Sequence, residues 1–65
     1  MTPTTLKLWR AVMRLSQEEA AESLGIKRRQ YQYYEAGTKP IPRQTGLACA
    51  AVFAHLDEWL PKPQA

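Results

Sequence analysis

The sequence predicts an all-α fold, a single domain of four to five short helices. Apolar residues recur at helical spacing near the N-terminus, beginning with Leu6 and Trp9. Further along, Ser16 is followed three residues later by Glu19, a pair typical of a helix start. Gly25 then marks a helix end. Because 65 residues are too few for two domains of ordinary size, residues 1–65 are expected to form one.

Helix 1 is expected to begin at the N-terminus. Thr2 suits the N-cap and Pro3 the first turn, where a missing N–H is not needed. The helix then directs Leu6, Trp9 and Met13 toward the core. Apolar residues spaced in this way usually pack in the core. No cofactor signature accompanies them, so no cofactor is expected.

Helix 2 is predicted over about residues 17–24. The Ser16 hydroxyl can accept a hydrogen bond from a first-turn N–H while Glu19 reaches back, which completes a capping box. Gly25 ends the helix because it readily takes the left-handed conformation. The inner face is small and apolar, formed by Ala20, Ala21 and Leu24.

Helix 3 is predicted over about residues 28–36, directly after the glycine turn. A step of about 100° per residue gives it one polar, basic side and one aromatic side. The polar side holds Arg28, Arg29, Gln32, Tyr33 and Ala36, and the aromatic side holds Tyr31 and Tyr34. Two helices joined in this way, the second with donors on its exposed side, form a helix-turn-helix, which places its second helix in the DNA major groove.

The side chains of helix 3 suit contact with DNA bases. Arginine can donate two parallel hydrogen bonds to guanine, glutamine can pair bidentately with adenine, and tyrosine can contact a thymine methyl group or a phosphate. The alternative is an ordinary charged face in solvent. We expect contact with bases or phosphates from the outer residues of this segment, which are Lys27, Arg28, Arg29, Gln32 and Tyr33.

The segment LSQEEAAESLGIKRRQYQYYEAG resembles the helix-turn-helix of the lambda-repressor-like family, which includes Cro and the phage repressors. The resemblance extends from about residue 6 to residue 60. It implies a compact four- to five-helix domain that binds double-stranded DNA, usually as a dimer. It also implies that Ser16 and Gln17, at the start of helix 2, contact the DNA backbone. By the same resemblance, the predicted base-contacting residues are Lys27, Arg28, Arg29, Gln32 and Tyr33.

The same resemblance implies a structural ion pair between Arg10 in helix 1 and Glu35 at the end of helix 3. Tyr31 and Tyr34 depart from the family pattern, in which Ile, Val or Leu is usual. The end of helix 3, YQYYEAG, is similar as well to the small anti-CRISPR-associated regulators with which phages repress their own operons.

Positive charge is concentrated in the middle of the chain. The formal net charge of +3 and a sequence pI near 9.4 favour a polyanionic partner. Between residues 27 and 43, five basic residues stand against the single acid Glu35. Lys39 and Arg43, in the connection after helix 3, are predicted to contact backbone phosphates, the alternative being that they only keep a loop soluble.

Helix 4 is expected from about Arg43 to His55, after Pro40 and Pro42 have stopped helix 3. Its apolar residues cover more than one stripe, so part of them would remain outside the core. Residues 57–60 continue this helix or form a fifth, and residues 61–65 are expected to be a loose tail. Trp59 either anchors a dimer or closes the monomer core. The proposed dimer interface consists of Phe53, Leu56, Trp59 and Leu60.

Other classes of function find no support in the residues. His55 and Cys49, the lone histidine and cysteine, are too far apart on a helix to act together, and Cys49 among alanines is typical of a buried apolar residue. We see no metal motif, membrane span, secretory signal or small-molecule site. The chain is therefore expected to be a non-enzymatic protein of the cytoplasm, at the nucleoid when bound to DNA.

The sequence thus favours a homodimeric, sequence-specific repressor that binds an inverted-repeat operator. Autorepression of its own operon follows from family analogy alone. Two alternatives remain open. The chain could be an antitoxin that holds a toxin with its C-terminal apolar surface, or a protein-binding adaptor that keeps the fold without contacting DNA.

Overall fold

In the computed structural model, residues 1–55 are described, and they form four α-helices without a strand. The helices are α1 (Pro3–Met13), α2 (Gln17–Leu24), α3 (Arg28–Ala36) and α4 (Arg43–Phe53). The prediction of an all-α fold is confirmed. The predicted interface residues Leu56, Trp59 and Leu60, the fifth helix and the loose tail all lie outside the described residues.

The fourth helix ends at Phe53, two residues before the predicted end at His55. His55 has a left-handed backbone, with a φ of 58°, and its N–H bonds to the carbonyl of Val52. A left-handed residue cannot continue the ladder of helical hydrogen bonds, so the helix stops there.

Side-chain caps fix the starts of the first two helices. The Thr2 hydroxyl accepts a hydrogen bond from the Thr5 N–H at 3.1 Å, and Pro3 occupies the first turn of α1. Ser16 Oγ accepts from the Glu19 N–H at 3.0 Å, while Glu19 Oε1 accepts from the Ser16 N–H at 2.9 Å. These two bonds form the expected capping box. The hydrogen bond from the Ser16 N–H to the Glu19 carboxylate holds the pKa of Glu19 below its ordinary value.

The core lies where α1, α2 and α3 meet, closed on one side by α4. Its buried residues are Leu6, Trp9, Ala20, Ala21, Tyr31, Tyr34 and Cys49, with Met13 and Leu24 half-buried against them. Because the inner face of α2 is small, α3 can pack close to it. The Trp9 indole N–H donates to the carbonyl of Cys49 at 3.0 Å, which joins α1 to α4. The helix pair α2–α3 is therefore held on a packed base.

Candidate nucleic-acid interface

The polar side of α3 faces solvent and its aromatic side faces the core. Tyr31 and Tyr34 are buried, as expected for the aromatic side. The five predicted base-contacting residues form what we call the outer face of α3. Its members are Lys27, Arg28, Arg29 and Gln32, all exposed, and Tyr33, half-buried. Since these residues recur one turn apart, their side chains form one continuous surface.

An ion pair holds α3 to α1 at the end of this surface. Arg10 Nε lies 2.7 Å from Glu35 Oε2, and Arg10 Nη2 donates to Glu35 Oε1 at 3.3 Å. Arg10 Nη1 also donates to the carbonyl of Leu15, at 3.2 Å, in the turn between α1 and α2. The Arg10 guanidinium thus joins α1 to α3 through a bidentate contact with Glu35, and it also joins α1 to the turn before α2.

The Glu35 side chain is only 4% exposed, yet it is ionised. Burial alone would raise the pKa of Glu35, but the hydrogen bonds from Arg10 and Gln17 outweigh burial and hold that pKa below its ordinary value. The same bond to Glu35 raises the pKa of Arg10. The structure therefore keeps a charged pair at this junction.

Gln17, predicted to contact the DNA backbone, makes two contacts within the protein. Its Nε2 donates to Glu35 Oε1 at 3.0 Å, and its Oε1 accepts from Gln32 Nε2 at 3.3 Å. The first residue of α2 thereby lies against the outer face of α3. One N–H of Gln17 is left over from these contacts, so a phosphate contact stays compatible with the geometry.

Two buried tyrosines of α3 differ in how their hydroxyl groups are satisfied. The Tyr34 hydroxyl accepts a hydrogen bond from Gln30 Nε2 at 2.7 Å. The Tyr31 hydroxyl is buried without a hydrogen-bond partner among residues 1–55. Burial raises the pKa of Tyr31, and the nearby Glu35 carboxylate raises it further. Tyr31 is therefore neutral, and its hydroxyl is under-satisfied.

The predicted phosphate-contacting residues occupy different places around the outer face. Lys39 folds back so that its Nζ lies 4.8 Å from the centre of the Tyr33 ring, a cation–π contact. The N–H groups of Thr38 and Lys39 both approach the Tyr33 carbonyl, at 3.0 and 3.5 Å. Arg43 is exposed at the first residue of α4. The phosphate roles of Lys39, Arg43 and Ser16 remain predictions.

Within residues 1–55, no group of three or more His, Cys, Asp or Glu side chains is placed to hold a metal ion. No helix in this part of the chain is long and apolar enough to cross a membrane. Cys49 is buried, and burial raises the pKa of its thiol to about 11, which keeps it protonated and unreactive at neutral pH.

Comparisons with known proteins agree with this geometry. A helix-turn-helix family model matches residues 6–59, and the chain therefore belongs to the helix-turn-helix family. A candidate DNA-binding protein from Nitrosomonas europaea has a similar crystal structure, with a TM-score of 0.83 and 35% identity over the whole of this chain. The chain spans 42% of the length of that protein. No curated protein is significantly similar to this chain.

The helix-turn-helix family consists of DNA-binding domains rather than enzymes. The family match supports DNA as the partner of this chain. Sequence reasoning did not find the Gln17–Gln32 bond or the Lys39–Tyr33 contact, because both depend on how separate segments pack. The sequence places Gln32 and Glu35 within one turn of α3, but it does not show that Gln17 contacts both of them.

Proposed function

We propose that this chain is a sequence-specific transcriptional repressor that binds an inverted-repeat operator as a homodimer and represses its own operon. The observation that carries the proposal is the outer face of α3, which exposes three cationic residues and an amide on a helix fixed to the core. Arginine and glutamine side chains can form bidentate contacts with guanine and adenine in the major groove. Occupation of the operator would then exclude polymerase.

Phosphate contacts would come from Lys39 and Gln17, which form the rim of the outer face of α3. Lys39 is held beside Tyr33, and Gln17 is held beside Gln32, so both donors flank the base-contacting residues. Contacts to phosphates fix the register of a protein on DNA without distinguishing sequences. Together the rim and the outer face supply both parts of a specific DNA interface.

An apolar groove between α1 and α4 supports the proposed dimer. The groove has a volume of about 370 Å³, and among its lining residues are Leu8, Trp9, Val12, Cys49 and Phe53. Leu8, Val12 and Phe53 are each more than half exposed. A second copy of the chain would remove this apolar surface from water. Phe53 belongs to the predicted interface, whose other members lie beyond residue 55.

Self-association can be tested by sedimentation with a matched pair of variants. Phe53→Glu places a charge in the groove, whereas Leu47→Glu places one at an equally exposed apolar residue of α4 that does not line the groove. We expect Phe53→Glu to sediment as a monomer at concentrations where wild type and Leu47→Glu are dimers. A monomeric wild type, or equal association of all three proteins, would contradict the proposed interface.

Repression can be tested with a reporter gene placed behind the DNA that precedes this chain's own gene. We expect expression of the chain to lower reporter output and the Arg29→Ala variant to restore it, provided both proteins accumulate equally. Increased output would identify an activator. Unchanged output, with a bound toxin or other protein on purification, would favour the antitoxin or the adaptor.

A further inference from the structure

Lys39 is held against Tyr33 by contacts of both its backbone and its side chain. Gly37 has a left-handed backbone, with a φ of 77°, which ends α3 and turns the chain back. The N–H groups of Thr38 and Lys39 then lie 3.0 and 3.5 Å from the Tyr33 carbonyl oxygen. Lys39 is an exposed residue, yet its Nζ lies 4.8 Å from the centre of the Tyr33 ring. The position of this ammonium group relative to α3 is therefore defined before DNA is bound.

The contact with Tyr33 reduces the freedom that Lys39 must lose when it binds a phosphate. A lysine side chain is a long, flexible stem, and ordering it at an interface has an entropic cost. Because the Tyr33 ring already attracts the ammonium group in the free protein, part of that cost has been met before binding. The ring covers one side of the ammonium group, so other N–H donors of Lys39 remain for phosphate oxygens.

The same contact limits what Tyr33 can offer to a DNA base. Tyr33 is half-buried, and the Lys39 ammonium group lies over one face of its ring. A thymine methyl group that packed on that face would displace Lys39. Arg28, Arg29 and Gln32, by contrast, are exposed on the outer face of α3. Tyr33 thus differs from these three residues because a face of its ring is already used within the protein.

We propose that Tyr33 is a positioning residue, whose ring holds the Lys39 ammonium group in place for a DNA phosphate, and that Tyr33 does not contribute to base preference. The inference rests on the proposed DNA-binding function and moves Tyr33 from the base contacts to the support of a phosphate contact. Contacts to phosphates carry no sequence information, so Tyr33 should affect the binding of all DNA sequences alike. A base contact by Tyr33 would instead affect one position of the binding site.

The test compares two variants of Tyr33 on DNA that the wild type has selected from a randomised duplex library and on random duplexes. Tyr33→Leu removes the ring, whereas the matched control Tyr33→Phe removes only the hydroxyl group. Each is also combined with Lys39→Ala and, as a second control, with Arg43→Ala, since Arg43 is an exposed cation on another helix, α4. Affinities are measured over a series of salt concentrations, and melting temperatures show whether each variant folds.

We expect Tyr33→Leu to weaken binding by about 2- to 10-fold on selected and random DNA alike, the range for one side chain that must be ordered on binding. Its salt dependence should stay that of the wild type, because Lys39 still neutralises a phosphate. Tyr33→Phe should bind as the wild type does. Tyr33→Leu should have no further effect in the Lys39→Ala background, since the two residues act as one unit, and its full effect in the Arg43→Ala background.

Three results would overturn the inference while leaving the proposed function intact. The first is a Tyr33→Leu variant with wild-type affinity, and the second is a loss confined to the selected DNA, which would show a base contact. The third is an equal loss for Tyr33→Leu with and without Lys39. If Tyr33→Leu does not fold, Tyr33→Met, which also lacks the ring, takes its place. A wild-type protein that enriches no sequence at all would instead contradict the proposed function itself.

Discussion

Arg28 and Arg29 differ from most basic residues of the chain because they stand on the outer face of α3, one turn before Gln32 and Tyr33. We expect Arg28→Ala or Arg29→Ala to cost about 1–3 kcal/mol of binding free energy on the selected site and to relax preference at one base. Fluorescence anisotropy on selected and random duplexes measures this. Arg28→Lys and Arg29→Lys keep the charge but lose the bidentate geometry of arginine. They should recover affinity without recovering the base preference.

Lys39 provides the matched contrast. Lys39→Ala should weaken binding to all sequences alike and flatten the dependence of log affinity on log salt by about one unit. Equal losses on selected and random DNA for the arginine variants would contradict their assignment to bases. An unchanged salt dependence for Lys39→Ala would contradict its assignment to phosphate.

Tyr31 and Tyr34 allow a second comparison of single residues. Among residues 1–55 the buried Tyr31 hydroxyl has no hydrogen-bond partner, whereas the Tyr34 hydroxyl is bonded to Gln30. An unsatisfied buried polar group costs about 1–3 kcal/mol, so Tyr31→Phe should raise the free energy of unfolding by about 1 kcal/mol. Tyr34→Phe should lower it by about 1 kcal/mol. Urea denaturation of both variants measures the signs, and a destabilising Tyr31→Phe would show that its hydroxyl is bonded after all.

At the level of single elements, the ends of α2 were predictable and the end of α1 was not. Ser16, Glu19 and Gly25 carry the start and stop signals of α2 in their own chemistry. The first helix ends at Met13, and Arg14 after it takes a left-handed backbone with a φ of 58°. Arginine carries no signal for that conformation, and its backbone is held by bonds of the turn to Arg10 and Ala11.

Two glycines on different elements should respond in opposite ways to the same substitution. Gly25 has a φ of 72°, and a Cβ there would meet no atom of the described residues within 4 Å, so Gly25→Ala should cost the left-handed strain alone, about 1–2 kcal/mol. Gly46 lies inside α4, where a Cβ would reach the Met1 Cβ at an ordinary 3.7 Å. Gly46→Ala should therefore stabilise the helix by about 0.5–1 kcal/mol. Thermal unfolding tests both variants, and the same sign of change for both would contradict the different roles of the two glycines.

For the whole molecule, the junction around Glu35 makes stability depend on pH. The pKa of Glu35 is lower in the folded protein than its ordinary value of 4.5, so folding favours the ionised form. The contribution of the Glu35 charge to the free energy of unfolding is fully present above about pH 4.5. It is lost as the pH falls through the lower pKa of the folded protein. Glu19 acts in the same direction.

Glu35→Gln should therefore be less stable than wild type at neutral pH, and the difference should shrink on acidification. Urea unfolding between about pH 3 and pH 7 measures the difference. A constant gap between the two proteins across that range would show that the Glu35 charge is not the source of the pH dependence.

The arrangement of the whole molecule explains what sequence reasoning reached and what it did not. Local signals and helical periodicity predict the all-α fold and the exposed side of α3. The contacts of Gln17 join residues 15 and 18 positions apart, and the groove between α1 and α4 depends on how much of each helix the core covers. Such features require the packed structure.

Recognition of a DNA sequence by the outer face of α3 can be tested by selection from a randomised duplex library, with the purified chain near physiological salt. We expect enrichment of an inverted repeat whose half-sites lie about 10 base pairs apart, the spacing of two helix-turn-helix units on one face of DNA. Salt-sensitive retention of DNA with no enriched sequence would contradict such recognition.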